Sequence, residues 1–448
     1  MKITKEIIQR IEGEATLELE WTEKKISFAK IKFLNYRAIE EMLVGKHMLD
    51  ALMFTPRVCG ICSHAHVNAT ILAIEDCYKN SGINLEITDK AKKIREVVLN
   101  AEKIQNHIKW FYFLILPELF KISKKKLIHA EPFKDKEWFE AQKALGDALK
   151  MGAIFSGQWP HGSYVMSGGV TCDPLKSDIQ NAKNFLSNVE DFCEENLYDC
   201  SIEDFLNLKS IQKLLNTKST IGIAISLMNK MGFNKIGKSY DQFISFGEYQ
   251  DIDEPAKSIK TKKYKANVKF VSESLENSFF ADDTKGYTYS KSAVYKGDFY
   301  EVGPLARLMI SKDTLIKDCH RRCTDSTVTR IVARVKELAI LIKQSHQLLD
   351  TIDINQKSVN TPKHMPKNIT ADGIGIVEAA RGTLIHNISI EEGIITKYDI
   401  IPPTVWNLGN GSKENPSIIQ KAMIGLDSVE KADFIFKSFD ICSVCTTQ

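Results

Sequence analysis

No run of eighteen or more apolar residues occurs anywhere in the 448-residue chain, so no segment reads as a membrane-spanning helix. The opening residues, MKITKEIIQRIEGE, hold no apolar stretch of the signal-peptide kind. The expected compartment is therefore the cytoplasm, with any export or membrane association directed by a partner. Charge of one sign is also missing. Sixty Lys and Arg against 57 Asp and Glu leave +3, too little to argue for nucleic acid or an anionic membrane as partner. The basic residues are scattered, and the one short run, Lys124-Lys125-Lys126, reads as a solvated helix end or loop. Ten cysteines are too few for a disulfide scaffold in a chain of this length. Six of them (Cys77, Cys172, Cys193, Cys200, Cys319 and Cys323) are scattered and form no cluster-binding run, so no iron–sulfur cluster is expected in this chain. There is no internal repeat and no low-complexity linker.

Hydrophobic residues at 43% and charged residues at 26% are the proportions of a chain that buries a sizeable core. Residues 16–35 alternate apolar and polar positions around Glu23-Lys24-Lys25, which predicts a hairpin. Helical spacing of apolar residues predicts helices over 36–54, 65–78, 89–120, 137–151 and 178–199. Between 218 and 300, short apolar runs, glycines and alternation predict loops and strands. Residues 313–352 predict one helix of some forty positions, and 373–409 predict strands with tight turns. Helices at 415–424 and 428–437 lead to the end of the sequence. The expected class is mainly α with small β regions: long central helices, an N-terminal hairpin and β-rich segments.

Two short stretches carry chemistry. Arg57-Val58-Cys59-Gly60-Ile61-Cys62-Ser63-His64-Ala65-His66 and Asp440-Ile441-Cys442-Ser443-Val444-Cys445 each hold a Cys-x-x-Cys pair, at opposite ends of the chain. Thiolates select soft or borderline metals, and the first pair lies in the turn leading into a helix, where backbone N–H groups favour thiolate. Three readings stand beside one another on the residues alone: a catalytic metal centre, a structural four-cysteine zinc site, and a dithiol redox pair. The separation of the pairs, and the arginine, histidines and aspartate beside them, are unlike a zinc knuckle. Joining the two pairs needs the whole chain, so a single domain spanning 1–448 is expected.

Arg-x-Cys-Gly-x-Cys-x-x-x-His at 57–66, with Asp-x-Cys-x-x-Cys at 440–445, resembles the large, catalytic subunit of nickel–iron hydrogenases. Further stretches follow in the family's order: Arg10-Ile11-Glu12-Gly13, Tyr36-Arg37-Ala38-Ile39-Glu40, Pro160-His161 with Gly168-Gly169-Val170, Val302-Gly303-Pro304-Leu305-Ala306-Arg307, and Glu378-Ala379-Ala380-Arg381-Gly382. Pro403-Thr404-Val405-Trp406-Asn407 is a looser match. The resemblance runs through essentially the whole chain, and the paired cysteine motifs are its most specific part.

The resemblance implies reversible heterolytic cleavage of H2, in the uptake direction, at a nickel–iron centre whose iron carries one CO and two cyanides. By similarity Cys59 and Cys442 are terminal nickel ligands, while Cys62 and Cys445 bridge nickel to iron. Glu12 resembles the proton-relay carboxylate beside Cys442. Arg381 matches the arginine over the diatomic ligands, paired with Asp440, and Thr404 the hydroxyl that donates to the second cyanide. His66 resembles the histidine that hydrogen-bonds a bridging sulfur, whereas His64 has no counterpart. Glu40, the Ile400 carbonyl and Gln448 resemble an octahedral magnesium site. Ile61 and Leu114 take the gas-channel positions. An iron–sulfur small subunit is the implied partner, within a larger oligomer or electron-acceptor complex.

Departures from the family pattern are specific. Gln448 stands where the family has histidine, Asn106 where it has an aspartate near the arginine, Ala380 for a common proline and Glu14 for a common histidine. The sequence ends three residues past Cys445, where the family usually carries a tail removed after metal insertion and hydrogen-sensing members carry none. An H2-sensing subunit is accordingly the alternative reading. Ile61, bulkier than the usual valine, and Leu114, the ordinary residue, point in different directions on that question. A relative that kept the fold and lost the metal, as in the respiratory complex I line, is disfavoured by the presence of all four cysteines.

Overall fold

A computed structural model of the chain describes residues 2–8, 11–125, 128–247, 257–260, 262–281, 286–360 and 366–446. It is about 49% helix and 17% strand, the expected α-dominated class. The alternating segment near the N-terminus folds as predicted. Strands β1 (Lys2–Ile7), β2 (Thr16–Thr22) and β3 (Lys25–Lys32) form an antiparallel sheet in that order. Glu23 and Lys24 turn the hairpin between β2 and β3 with φ of 51° and 63°, the left-handed pair a two-residue hairpin loop demands. Leu17, Leu19, Ile26 and Ile31 enter the main core from this sheet.

That core is built by long helices. These are α1 (Ser63–Asn80), α2 (Asp89–Trp110), α3 (Lys136–Ser156), α4 (Lys176–Phe192) and α5 (Thr327–Thr351). α2 runs on through a π-turn, Phe111–Ile115, into the helix Leu116–Ser123. It packs against both α3 and α5, and α3 against α4. Apolar residues at helical spacing interleave there: Ile94, Val98 and Ile104 of α2, Ala144, Ala148 and Met151 of α3, Val335, Leu338 and Ile342 of α5.

Three expectations are corrected. The forty-residue helix is two, Thr314–Cys323 and α5, because Thr324 turns to φ 54° and Ser326 caps α5 by accepting from the Thr329 N–H. Periodicity ran across a break that the Asp325-Ser326 capping signal marks. The region 218–300 contains a helix, Thr220–Lys230, capped by Ser219; its short apolar run is ambiguous by period, and the serine decides it. Residues 36–54 hold only Ile39–Leu43, a 3-10 turn Met48–Asp50 and Ala51–Phe54, interrupted at Gly45 with φ +82°.

The C-terminal sheet fixes where α1 lies. β4 (Ala371–Ala379), β5 (Gly382–Glu391) and β6 (Ile394–Ile401) form an antiparallel meander, and α1 lies across β4. Contact is backbone to backbone: a Cβ on Gly375 would sit 1.8 Å from the Ala69 carbonyl oxygen, and one on Gly373 2.2 Å from that of Ala73. Glycines at these two strand positions let the helix axis approach the sheet and bring its first turn to the end of β4. Among the described residues no helix is long and apolar enough to cross a membrane.

Gly375→Ala is therefore expected to cost about 3 kcal/mol, the upper part of the overpacking range, seen as a lowered denaturant midpoint. Gly146→Ala, on α3 with nothing within 4 Å of the new Cβ, is expected to stabilise the fold by about 0.5–1 kcal/mol, seen as a raised midpoint.

Candidate metal centre

Cys59 follows the 3-10 turn Thr55–Val58, and Cys62 occupies the N-cap position of α1. Cys442 and Cys445 flank and close the last 3-10 turn, Ser443–Cys445. All four are buried, and their sulfurs lie within 4.8 Å of one another. The separations are 3.4 Å for Cys59–Cys442, 3.4 Å for Cys62–Cys445 and 3.0 Å for Cys442–Cys445. These are too long for a disulfide, at about 2.05 Å, and short enough for shared metal ligation.

Three devices join the ends of the chain. The Glu12 backbone pairs with Cys442 as an isolated bridge, and the Glu12 carbonyl accepts from both the N–H and the hydroxyl of Ser443, each at 2.9 Å. Gly13, at φ +82°, lies against that serine; a Cβ there would fall 2.2 Å from Oγ. Arg37 Nη2 donates at 2.5 Å to the carbonyls of Val58 and Val444, so one nitrogen ties both cysteine loops. Glu102 of α2 accepts from the His64 and Ala65 N–H groups at 2.8 and 3.2 Å, closing the first turn of α1 beside Cys62.

Arg381, in the turn between β4 and β5, lies in a buried charged shell. Its Nε donates to the Asp440 carbonyl (2.8 Å), and its Nη2 to Asp440 Oδ1 (3.1 Å) and Asn106 Oδ1 (2.8 Å). Asn106 Nδ2 donates to Asp440 Oδ2 at 2.6 Å, and Arg334 of α5 pairs with that same oxygen at 2.8 Å. The expected Arg381–Asp440 pair is present, and the amide at 106 keeps the arrangement whole. It accepts from the arginine and donates to the carboxylate, where an aspartate would set two carboxylates face to face. Burial opposes the Arg381 charge, but Asp440, Cys442, Cys62 and Cys59 outweigh it and hold its pKa above the ordinary value. Burial pushes Arg334 down to about 10 against the pull of Asp440. Nη1 of Arg381 and Oγ1 of Thr404 are buried and have no hydrogen-bond partner among the described residues. Two orphaned donors suit acceptor ligands beside the sulfurs.

His66 Nε2 lies 3.8 Å from Cys445 Sγ, one of the four grouped sulfurs. Its Nδ1 meets His386 Nε2 at 3.0 Å, and burial takes the pKa of His66 down to about 3 and that of His386 well below its ordinary value. His64 is buried against the rings of Trp159 and Tyr164. Glu12, Ile61, Asn106, Leu114, Arg381 and Asp440 share the lining of one cavity of about 230 Å³. The Glu12 carboxylate lies over Gly60, where a Cβ would be 3.7 Å from Oε1. Glu40 and Ile400 do meet, with a difference: the Ile400 N–H donates to Glu40 Oε1 at 2.6 Å, and Lys291 binds Oε2 at 2.9 Å and Glu273 at 3.2 Å. Gln448 lies outside the described residues.

Three participants escape sequence reading: Arg334, Glu102 and His386. Arg307 reaches Glu337 through Nε and Nη2 (both 2.7 Å) and Glu378 through Nη1 (2.9 Å), bracing the end of β4 just before Arg381. Gly303, four residues earlier, lies where a Cβ would be 2.7 Å from the Arg381 carbonyl. Arg307 sits inside a motif the sequence does display. Arg334 and Glu102 look like ordinary helix-face charges, and nothing in their spacing tells them from exposed ones.

The four thiols perturb each other. Burial raises Cys62 and Cys445. For Cys442 burial also acts upward, but hydrogen bonds from Cys445, Cys59 and Cys62 and the Arg381 charge hold it well below the usual thiol range.

Asp440→Asn should cost about 3–5 kcal/mol in thermal or denaturant unfolding, since it leaves two guanidinium groups buried without a carboxylate. Burial lifts Glu102 to about 8, against the His64 and Ala65 N–H groups. A carboxyl raised above its unfolded value keeps a proton in the folded chain that the unfolded chain has lost. Its contribution is complete below about 4.5 and falls away as pH rises to about 8, by up to about 5 kcal/mol. Glu102→Gln should flatten that part of the stability–pH curve of the metal-free protein.

The sequence model of the nickel-dependent hydrogenase family matches residues 37–134 and 133–448. Among curated proteins, the large subunit of a periplasmic NiFeSe hydrogenase from Desulfomicrobium baculatum is 24% identical over 493 residues, covering 95% of this chain and 90% of that one. The Hydrogenase-2 large chain of Escherichia coli is 21% identical, covering 99% and 96%. Among solved structures, the reduced Ni-Fe-Se hydrogenase of D. vulgaris Hildenborough superposes with a TM-score of 0.83 at 21% identity, over 100% of both chains. A family match over this span, together with four buried sulfurs in one group, places the chain in the nickel-dependent hydrogenase family.

Proposed function

We propose that this chain is the catalytic subunit of a nickel–iron hydrogenase that cleaves H2 heterolytically, in the uptake direction, and passes electrons to an iron–sulfur small subunit. The observation that carries the reading is the meeting of two Cys-x-x-Cys loops beneath an arginine with a free N–H. When bound, the nickel–iron group supplies a site that polarises H2 and accepts two electrons. Cys59 and Cys442 would be its terminal sulfur ligands, and Cys62 and Cys445 would bridge nickel and iron.

The chain's own residues do the rest. Arg381 Nη1 and Thr404 Oγ1 would donate to two cyanides on the iron, while Asp440 and Asn106 fix the plane of the guanidinium. Cys442 Sγ, a terminal sulfur beside the Glu12 backbone, would take the proton. The Glu12 carboxylate over Gly60 would carry it onward. Ile61 and Leu114 narrow the cavity through which a gas molecule reaches this end. His66 holds the Cys445 sulfur in place.

The same reading assigns a magnesium ion to Glu40 and the Ile400 carbonyl. There two carboxylates, Glu40 and Glu273, share one ammonium. That excess of negative charge suits a hard divalent cation. Residues 1–448 act as one domain in this proposal, in the cytoplasm, within a larger complex that supplies the electron acceptor. Two of the relatives are named as a large subunit and a large chain, in keeping with such a partner.

Infrared spectra of the purified protein should show one CO and two cyanide stretches, with about one nickel per chain and magnesium by elemental analysis. A silent window with zinc bound would refute the reading. Glu12→Gln should retain those bands and the nickel while slowing exchange of D2 with solvent protons by about 100-fold or more.

A further inference from the structure

His66 is the start of a hydrogen-bonded chain, not a single contact. From Cys445 Sγ the path runs to His66 Nε2 (3.8 Å), from His66 Nδ1 to His386 Nε2 (3.0 Å), and from His386 Nδ1 to the Tyr398 hydroxyl (2.8 Å) and Thr70 Oγ1 (3.1 Å). Thr70 also reaches Thr55 Oγ1 at 2.7 Å and the His66 carbonyl at 3.0 Å, and Thr55 donates to the Ala51 carbonyl at 2.9 Å. Every member is buried, at 3% exposure or less, so protein groups must satisfy one another here. His66 and Thr70 come from α1, while His386 and Tyr398 sit on the neighbouring strands β5 and β6.

The geometry points to His386, with Tyr398 and Thr70 behind it, as positioning residues that decide which nitrogen of His66 carries its proton. The inference rests on the metal-centre reading above. A sulfur shared by two metals, the role given to Cys445, has no hydrogen to donate and can only accept, so the nitrogen facing it must donate, and Nε2 of His66 carries the hydrogen. Nδ1 of His66 is then an acceptor. One proton lies between the two rings at 3.0 Å, and it must belong to His386 Nε2. His386 Nδ1 in turn accepts, and the Tyr398 hydroxyl points its hydrogen at it. The Thr70 hydrogen is taken by Thr55 or the His66 carbonyl. Reversed polarity would aim a lone pair of His66 at an electron-rich sulfur. The Tyr398 hydroxyl, about three hydrogen bonds from the sulfur, therefore sets the strength of the N–H···S contact, which withdraws electron density from the ligand and, through it, from the metals.

The test reads the infrared CO stretch of the metal-loaded enzyme rather than its turnover. His66→Leu, which removes the N–H···S contact, should move the band to lower wavenumber, because a sulfur without its donor gives more density to iron. Tyr398→Phe alone leaves Thr70 able to donate and should move the band less. The pair Tyr398→Phe with Thr70→Val removes from His386 Nδ1 both its donor and the hydroxyl that could replace it, and should approach the His66→Leu value. Should the paired variant fail to load metal, His386 gives an independent comparison. His386→Gln keeps an N–H toward His66 and should hold the band near its original place, while His386→Leu should shift it. If the paired variant, or His386→Leu, leaves the band unmoved while His66→Leu shifts it, the positioning role is wrong and the metal centre stands. A band indifferent to His66→Leu overturns the inference as well. An unaltered chain without CO or cyanide bands overturns the metal-centre reading, and this inference with it.

Discussion

Closure of the two chain ends on one another is the constraint on which the structure depends. Ser443 bonds to the carbonyl of Glu12 across 431 positions of sequence, and Arg37 ties Val58 to Val444 with one nitrogen. Four sulfurs brought within 4.8 Å would be improbable from two flexible loops, because each loop pays backbone entropy to be held. Here the cost is met by elements whose positions are already set. α1 is pressed on β4 through Gly373 and Gly375, and the helix Val429–Ser438 packs against α5 ahead of Asp440. The sulfurs inherit their geometry from this packing, and the local hydrogen bonds refine it.

Buried charge forms the second layer. α5 carries Arg330, Arg334 and Glu337 on a face that would be solvated in an ordinary surface helix. Each is buried and paired: Arg330 with Glu301, Arg334 with Asp440, Glu337 with Arg307. Pairs like these contribute little net stability against apolar residues of equal size, yet removing one partner is expensive. Their effect is to fix position. Arg307 braces Glu378 and the Ala379 carbonyl at the end of β4, so Arg381 is delivered to the sulfurs by a strand end that has little freedom. One carboxylate, Asp440, serves two guanidinium groups, and the neutral Asn106 supplies both the donor and the acceptor that this sharing needs.

Much of the site was legible in the sequence because its chemistry is carried by rare residue types in fixed local spacing. Two Cys-x-x-Cys pairs, with an arginine and histidine beside one and an aspartate beside the other, are informative wherever they occur. Glu12, Ile61, Asn106, Leu114 and Arg381 do line one cavity. The helices α1 to α4 lie where apolar periodicity put them, since a stripe at 3.6 spacing has few other ways to be buried. Legibility failed where a local signal competed with the pattern, as at Thr324–Ser326 and at Ser219. It failed too where a charge acts through a distant element: Glu102 caps α1 from α2, and His386 reaches His66 across 320 positions.

The amino-acid sequence by itself determined the four cysteines, their two loops, the amphipathic helices and the N-terminal hairpin, because each follows from residue type and spacing within a few turns of chain. Only the tertiary structure decided which sulfur faces which, that Asp440 is shared by Arg381 and Arg334, that the Ile400 N–H and Lys291 both meet Glu40, and that His66 stands at the head of a buried chain ending at Tyr398 and Thr70. Those facts depend on the approach of segments hundreds of residues apart, and the close contact of α1 with β4, permitted by two glycines, sets that approach.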